Sequence, residues 1–286
     1  MTMRHDNFAV FILTHGRADN VITYETLKRQ GYHEKVYIVI DNEDKTEAEY
    51  RRRYGDKVIM FDKADIAKRI DTGDNLSERK VILFARNACF EIAKDLGLDY
   101  FLELDDDYDY FAFRKEVKGV LTQHVYCKNL DKVFDIMLDF LDESGALTVA
   151  FAQGGDFIGG VNSTMWREQL TRKAMNSFFC RTDNPVNFFG RINEDVNTYV
   201  GLGSRGKLFF STALLKLHQK ETQSNSGGMT EVYLDSGTYL KSFYSVMYNP
   251  SCVKIATMGN RYMRIHHHVY WNNCAPKIIN EKYKKN

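Results

Sequence analysis

The run Tyr100-Phe101-Leu102-Glu103-Leu104-Asp105-Asp106-Asp107-Tyr108-Asp109 carries an apolar, strand-forming stretch straight into a cluster of carboxylates. A strand that ends in acidic residues delivers them to the carboxyl edge of an α/β sheet, where open sheets bind ligands. Carboxylates this close repel one another, and a divalent cation relieves the repulsion. Hard oxygen ligands suit Mg²⁺ or Mn²⁺, which complete their shells with substrate phosphates. Asp105, Asp106 and Asp107 therefore point to a site for a metal and a diphosphate, with a solvated acidic turn as the plain alternative.

Other residues could serve the same chemistry. Thr14-His15-Gly16-Arg17 stands where a first strand gives way to a helix, so its amides and Arg17 could meet an anion, although an ordinary strand-to-helix turn of an α/β protein looks the same. Asp41 closes a second strand, a position from which a carboxylate grips ribose hydroxyls or a base edge, with an exposed strand-end aspartate as the plain alternative. Arg86 and Asn87 interrupt an apolar helical segment and need partners; a nucleotide is one, and for Arg86 an ion pair with Glu91 is another. Asn193-Glu194-Asp195 opens a helix. One carboxylate there could deprotonate an acceptor hydroxyl, although acidic residues favour a helix start on electrostatic grounds alone. His266-His267-His268 offers imidazoles that suit Mn²⁺ better than Mg²⁺, with a solvated or core histidine as the plain alternative for any one of them. In a strand His266 and His268 share one face and His267 takes the other, so only one side can serve. Trp166-Arg167, Arg172-Lys173 and Phe178 to Arg181 mix aromatic and basic residues, as a surface for DNA phosphates and an unstacked base would, or as ordinary solvated charges would.

These groups need elements to position them, and the first third of the chain supplies a βαβαβ pattern. Strands are expected at Phe8 to Leu13, Val36 to Ile40 and Val58 to Phe61, with helices at Asp19 to Gln30, ended by Gly31, and at Lys45 to Tyr54. Asp62 to Asn75 reads as a loop with one helical turn. Ser77 can cap a long helix running to Leu96, and Tyr100 to Leu104 is the fourth strand. Further on, Lys128 to Leu141 and Glu194 to Leu202 read as helices, and Ala146 to Ala152 and Leu208 to Leu217 as strands. Gln153 to Arg191 is irregular, and Gln219 to Gly228 is polar, a loop able to act as a lid.

The 286 residues suffice for a substantial core, and 39 basic against 38 acidic residues give no polycationic signature. Cys89, Cys127, Cys180, Cys252 and Cys274 lack metal-knuckle or redox spacing and read as reduced thiols of a cytoplasmic protein. There is neither an apolar run of spanning length nor a signal-peptide core at the N-terminus, so a soluble protein without membrane attachment is expected.

In this order the elements resemble the GT-A glycosyltransferases, most closely the glycosyltransferase family 2 type. The resemblance runs through Thr14 to Arg17, Asp41, Ala85-Arg86-Asn87, Leu104-Asp105-Asp106-Asp107 in place of Asp-x-Asp, Glu194-Asp195, and Gly206-Lys207-Leu208-Phe209, over roughly residues 8 to 218. The narrower resemblance is to the TET-associated glycosyltransferases of bacteriophages, thought to decorate 5-hydroxymethylpyrimidines in DNA. It rests on Phe11 to Arg17, Leu102 to Tyr108, Arg191 to Asn197 and the Asn225-Ser226-Gly227-Gly228-Met229 loop.

The resemblance implies a GT-A, Rossmann-like α/β fold: a mostly parallel central sheet flanked by helices, with a C-terminal extension. One domain would span 1–286, with a nucleotide-sugar half at 8–110, an acceptor half at 111–218, and a flexible loop and extension at 219–286. Thr14, His15, Arg17, Asp41, Arg86, Asn87, Asp105 and Asp106 would hold a nucleotide-sugar, a UDP-sugar by preference. Asp105 and Asp107, joined by His266 or His268, would hold Mn²⁺ or Mg²⁺. Asp195, with Glu194 beside it, would take the acceptor proton, and Trp166, Arg167, Ser226 and Gly227 would meet the acceptor, a hydroxymethylpyrimidine in phage DNA. The Gln-x-x-Arg-Trp motif of processive members is absent, which implies a single transfer. The competing readings are a transferase acting on a glycan, lipid or protein hydroxyl, a sugar-1-phosphate nucleotidyltransferase, and a noncatalytic nucleotide-sugar-binding module.

Overall fold

Six-residue runs in which every side chain is apolar, such as Phe8–Leu13, suit a strand covered on both faces, because successive side chains point to opposite sides of a sheet. The computed structural model describes residues 5–77, 79–118, 120–153, 176–219, 240–258 and 263–274, with 120–124 described by their backbone alone. In it Phe8–Leu13 is β1, and every one of its residues is buried. The chain continues through α1 (Ile22–Arg29), β2 (Val36–Asp41), α2 (Glu47–Tyr54), β3 (Val58–Phe61), α3 (Lys63–Ala67), α4 (Leu83–Asp95) and β4 (Tyr100–Asp105). Then follow β5 (Tyr108–Val117), β6 (Val120–Tyr126), α5 (Leu130–Ser144), β7 (Thr148–Ala152), β8 (Ser177–Arg181), α6 (Glu194–Gly203) and β9 (Phe209–Gln219). A helical stretch at 240–248 precedes β10 (Val253–Met258) and β11 (Arg264–Val269).

Nine strands form one sheet in the order β3-β2-β1-β4-β8-β7-β9-β5-β6, and β10 and β11 form a separate antiparallel pair. The first four strands run parallel, as the βαβ crossovers require, and parallel pairing recurs between β7 and β9. Strand β8 enters antiparallel beside β4, and β5 folds back between β9 and β6.

Two apolar layers cover the sheet. On one face Val10, Ile12, Ile38, Leu102 and Leu104 meet Leu27 of α1 and Phe134 and Leu138 of α5. On the other Phe11, Leu13, Val39 and Phe101 meet Leu83, Phe84, Ala88 and Ile92 of α4. Removing each of these Val, Leu, Ile and Phe side chains from water contributes about 1.5–3 kcal/mol.

The expected α/β architecture with its flanking helices is therefore present, and β1 to β4, β7 and β9 lie where the sequence placed them. Three local expectations change. Helix α4 starts at Leu83 with no side-chain cap, so Ser77 does not cap it; Asp74 instead draws this approach segment elsewhere, through Arg191 and the Leu76 amide. The β5–β6 hairpin carries no sequence assignment above, although Tyr108, Tyr110 and Ala112 leading to Gly119 have strand and turn character. Strand β8 lies inside the stretch read as irregular. All five cysteines are buried and free, and among the described residues no helix is long and apolar enough to cross a membrane.

Candidate functional site

Because β1 and β4 are parallel neighbours with Leu13 opposite Asp105, the turn after β1 and the acidic turn after β4 emerge side by side. Helix α1 braces both. Thr23 donates its backbone N–H to Asp106 O (3.1 Å) and its hydroxyl to Asp105 O (2.6 Å), and its Oγ1 accepts from the Tyr108 amide (2.9 Å). Within this frame Asp106 turns toward β1: Oδ2 accepts from Thr14 Oγ1 (2.6 Å) and Oδ1 from Arg17 Nη1 (3.1 Å). Tyr50 of α2 completes the corner, its hydroxyl 2.8 Å from Thr14 Oγ1 and accepting the Arg17 amide at 2.9 Å.

Asp107 is half-buried. Its Oδ2 accepts from Gln219 Nε2 at 3.2 Å, while its buried Oδ1 has no hydrogen-bond partner among the described residues. Arg17 Nε, nearby, is likewise buried without a partner among the described residues. Burial raises the Asp107 carboxyl above the usual range, opposed by the Gln219 hydrogen bond and reinforced by the Asp106 charge. A partly desolvated carboxylate oxygen with no donor is what a cation or a donor-bearing ligand would satisfy.

Behind this turn lies a buried ionic cluster centred on Arg86, whose side chain is 1% exposed. Its Nε donates to Glu194 Oε1 (3.1 Å), Nη1 to Glu103 Oε2 (3.3 Å) and Nη2 to Asp105 Oδ1 (3.3 Å). Phe178 and Phe188 lie 5.0 and 5.9 Å from the guanidinium carbon. Burial pushes Glu103 up to about 8 and Asp105 up to about 7, against the pull of Arg86. Asn87 also looks inward, donating to Leu83 O (2.9 Å) and Phe188 O (3.0 Å) and accepting the Phe188 amide (3.0 Å). The structure thus sets Arg86 and Asn87 among protein groups.

At the end of β2, Asp41 pairs with His15 Nδ1 (2.7 Å) and with the buried Lys63 Nζ (3.1 Å). Burial would raise this carboxyl, but the His15 hydrogen bond and the Lys63 charge outweigh it and hold Asp41 below its ordinary value. Glu194 and Asp195 open α6, both buried. Burial and the neighbouring Asp195 raise Glu194, with Arg86 opposing.

The tail imidazoles are placed differently from expectation. Alternation along β11 buries His267, whose Nδ1 lies 3.4 Å from Asn193 Nδ2, whereas His268 is exposed and edge-on to Tyr270 at 4.7 Å. His266 stacks on His267 with ring centroids 4.3 Å apart. Among the described residues no group of three or more His, Cys, Asp or Glu is arranged to hold a metal ion, so His266 and His268 are not gathered with Asp105 and Asp107. The imidazole beside the acidic turn is His218, at the end of β9: its Nδ1 is 2.6 Å from Asp109 Oδ1, and its ring stacks on Tyr110 at 4.5 Å. Trp166, Arg167, Ser226 and Gly227 lie outside the described residues.

Sequence reasoning passed over Thr23, Tyr50, Lys63 and His218, and it read Glu103 as part of the strand and Gln219 as the start of a lid loop. Of these, His218 and Gln219 close the strand that follows the Glu194-Asp195 helix, a visible signal; the others act through contacts that have no spacing rule.

Compared with known families, residues 8–228 match the model described as TET-Associated Glycosyltransferase. The chain belongs to the TET-associated glycosyltransferase family. It is therefore a glycosyltransferase. Among solved structures, glucosyl-3-phosphoglycerate synthase from Mycobacterium tuberculosis with Mn²⁺, uridine diphosphate and phosphoglyceric acid matches with a TM-score of 0.46 and 7% identity, covering 92% of this chain and 86% of that one. The same enzyme with Mg²⁺ and uridine diphosphate matches with a TM-score of 0.45 and 9% identity, covering 92% and 87%. No curated protein matches. Within this TET-associated glycosyltransferase, the site joins a corner of donors and carboxylates after β1, β2 and β4 to a pair of carboxylates at the start of α6.

Proposed function

We propose that this glycosyltransferase takes a sugar from a UDP-sugar and attaches it to a hydroxyl, that of a 5-hydroxymethylpyrimidine in DNA. The observation that carries the donor half is the buried Oδ1 of Asp107 at the carboxyl edge of β4, without a hydrogen-bond partner among the described residues. Asp107 and Asp105 are the residues that would hold Mn²⁺ or Mg²⁺, which when bound supplies a Lewis acid for the departing diphosphate. The turn Thr14 to Arg17 would face the nucleotide, with Arg17 offering its unpaired Nε, and Asp41, kept ionised by His15 and Lys63, would accept from ribose or base. Asp195 would take the proton of the acceptor hydroxyl as its oxygen bonds to the anomeric carbon and the bond from that carbon to the diphosphate breaks.

The acceptor half is supported by family membership. The test is incubation with UDP-sugars, Mn²⁺ and DNA containing 5-hydroxymethylcytosine, followed by mass spectrometry of the nucleosides. A hydroxymethyl nucleoside heavier by one sugar residue, with UDP released in equal amount, is expected. UDP release with unmodified DNA would move the acceptor to another hydroxyl, and pyrophosphate release would overturn sugar transfer altogether.

A further inference from the structure

The peptide Asn193-Glu194-Asp195 is held from two sides, by the Arg86 guanidinium and by groups of the C-terminal part of the chain. From the sheet, the Arg86 guanidinium ties Glu194 to Glu103 and Asp105 of β4, in distances of 3.1 to 3.3 Å. From the C-terminal part of the chain, Asn193 Nδ2 donates to Lys241 O (2.7 Å) and Ser245 Oγ (3.1 Å), and lies 3.4 Å from His267 Nδ1. Asn193 has φ 57° and ψ 39°, in the left-handed region. A side chain other than glycine is disfavoured there, and asparagine tolerates it better than most. The helix that begins with Glu194 thus starts from a backbone conformation that the surrounding contacts enforce.

The chemistry of Arg86 fits bracing. A buried guanidinium reaching three carboxylates on two elements presents its planar fork in a fixed orientation, which the point charge of a lysine cannot reproduce. Its 1% exposure leaves no face for a diphosphate or a base. The adjacent Asp195 has its backbone direction fixed by both holds, and the end of β4 that Arg86 grips is the start of the acidic turn.

We propose that Arg86 and Asn193 are positioning residues that set Asp195 against the acidic turn, so that the tail of the chain, through 241–245 and His267, helps to aim the group that accepts the proton. This rests on the reading of Asp195 as that group.

The test uses the full chain. Arg86→Lys is expected to lower kcat about 100-fold, the scale of a misplaced catalytic group, with UDP affinity by calorimetry within about threefold of wild type. Asn193→Gly keeps the backbone conformation and removes the side-chain tethers. It is expected to lower kcat about tenfold or more at unchanged donor KM. Combined with Asp195→Asn it should be no slower than Asp195→Asn alone, because the hold acts through Asp195. Full additivity, unchanged kcat, or a loss of UDP affinity that tracks the loss of kcat/KM would each overturn the assignment. Should Arg86→Lys fail to fold, Glu194→Gln tests the same arm by weakening the ion pair at constant shape, with the same expected split and the same overturning results. Hydrogen exchange over 194–198 separates this from the transferase reading. If wild type transfers no sugar, faster exchange in Asn193→Gly upholds the hold and unchanged exchange overturns it.

Discussion

The aspartates of the acidic turn are chemically identical in sequence and different in place. Asp106 is consumed by Thr14 and Arg17, Asp105 shares Arg86 with Glu103 and Glu194, and of the three Asp107 alone keeps a buried oxygen without a partner among the described residues. Substituting them should therefore give different phenotypes. Asp107→Asn keeps the volume and the Gln219 contact but removes the charge that a cation would meet. It is expected to lower turnover about 100-fold or more and to raise the Mn²⁺ concentration needed for half-maximal rate. Asp106→Asn should instead lower stability, because the charge-assisted bonds from Thr14 and Arg17 weaken, by about 1.5–3 kcal/mol in urea unfolding. A Mn²⁺ titration of both variants checks the contrast, and equal metal dependence in the two would contradict it.

At the level of elements, the sequence revealed what local pattern determines and hid what distant contacts decide. Strands β1 to β4 were legible because buried parallel strands read as uninterrupted apolar runs, and Gly31 marked the end of α1. The fate of Arg86 was not legible, since its partners Glu103 and Glu194 lie 17 and 108 positions away. Likewise the histidine triplet drew attention by composition, while His218, a single residue closing β9, reached the acidic turn through sheet order. The end of α1 shows how one position joins elements. Gly31 has φ 76°, and a β-carbon there would sit 2.5 Å from Lys128 O. The preceding Gln30 bonds Phe111 and Cys127 through its side chain, tying α1 to β5 and to the segment after β6. Gly31→Ala combines left-handed strain with backbone overlap and is expected to cost about 1–3 kcal/mol or more. A lowered urea midpoint at unchanged m-value would show it, and a midpoint equal to wild type would refute the argument.

For the molecule as a whole, segments distant in sequence converge behind the site. Arg191 Nε donates to both oxygens of Asp74 (3.0 and 2.8 Å), its Nη2 to Leu76 O (2.8 Å), and Tyr244 also bonds Asp74. Tyr248 donates to Asp71 Oδ1 at 3.1 Å. The approach to α4, the segment before α6 and the helical stretch 240–248 are thus joined at one carboxylate. Burial would raise Asp74, but its hydrogen bonds with Arg191 and Tyr244 prevail and hold it below the ordinary value. A depressed carboxylate contributes stability that is present above its unfolded pKa and is lost as the pH falls through the folded value. Wild type should therefore lose stability as the pH drops below about 4, the unfolded value of an aspartate. Asp74→Asn should be less stable at pH 7 and should lose less on acidification, so that the two curves approach one another at low pH. Urea midpoints at pH 7, 5, 4 and 3 measure this. Parallel curves would mean that the Asp74 charge contributes nothing to holding these segments together. Because Arg191 leads directly into Ile192 and Asn193, the same substitution should also slow turnover, through the approach to α6.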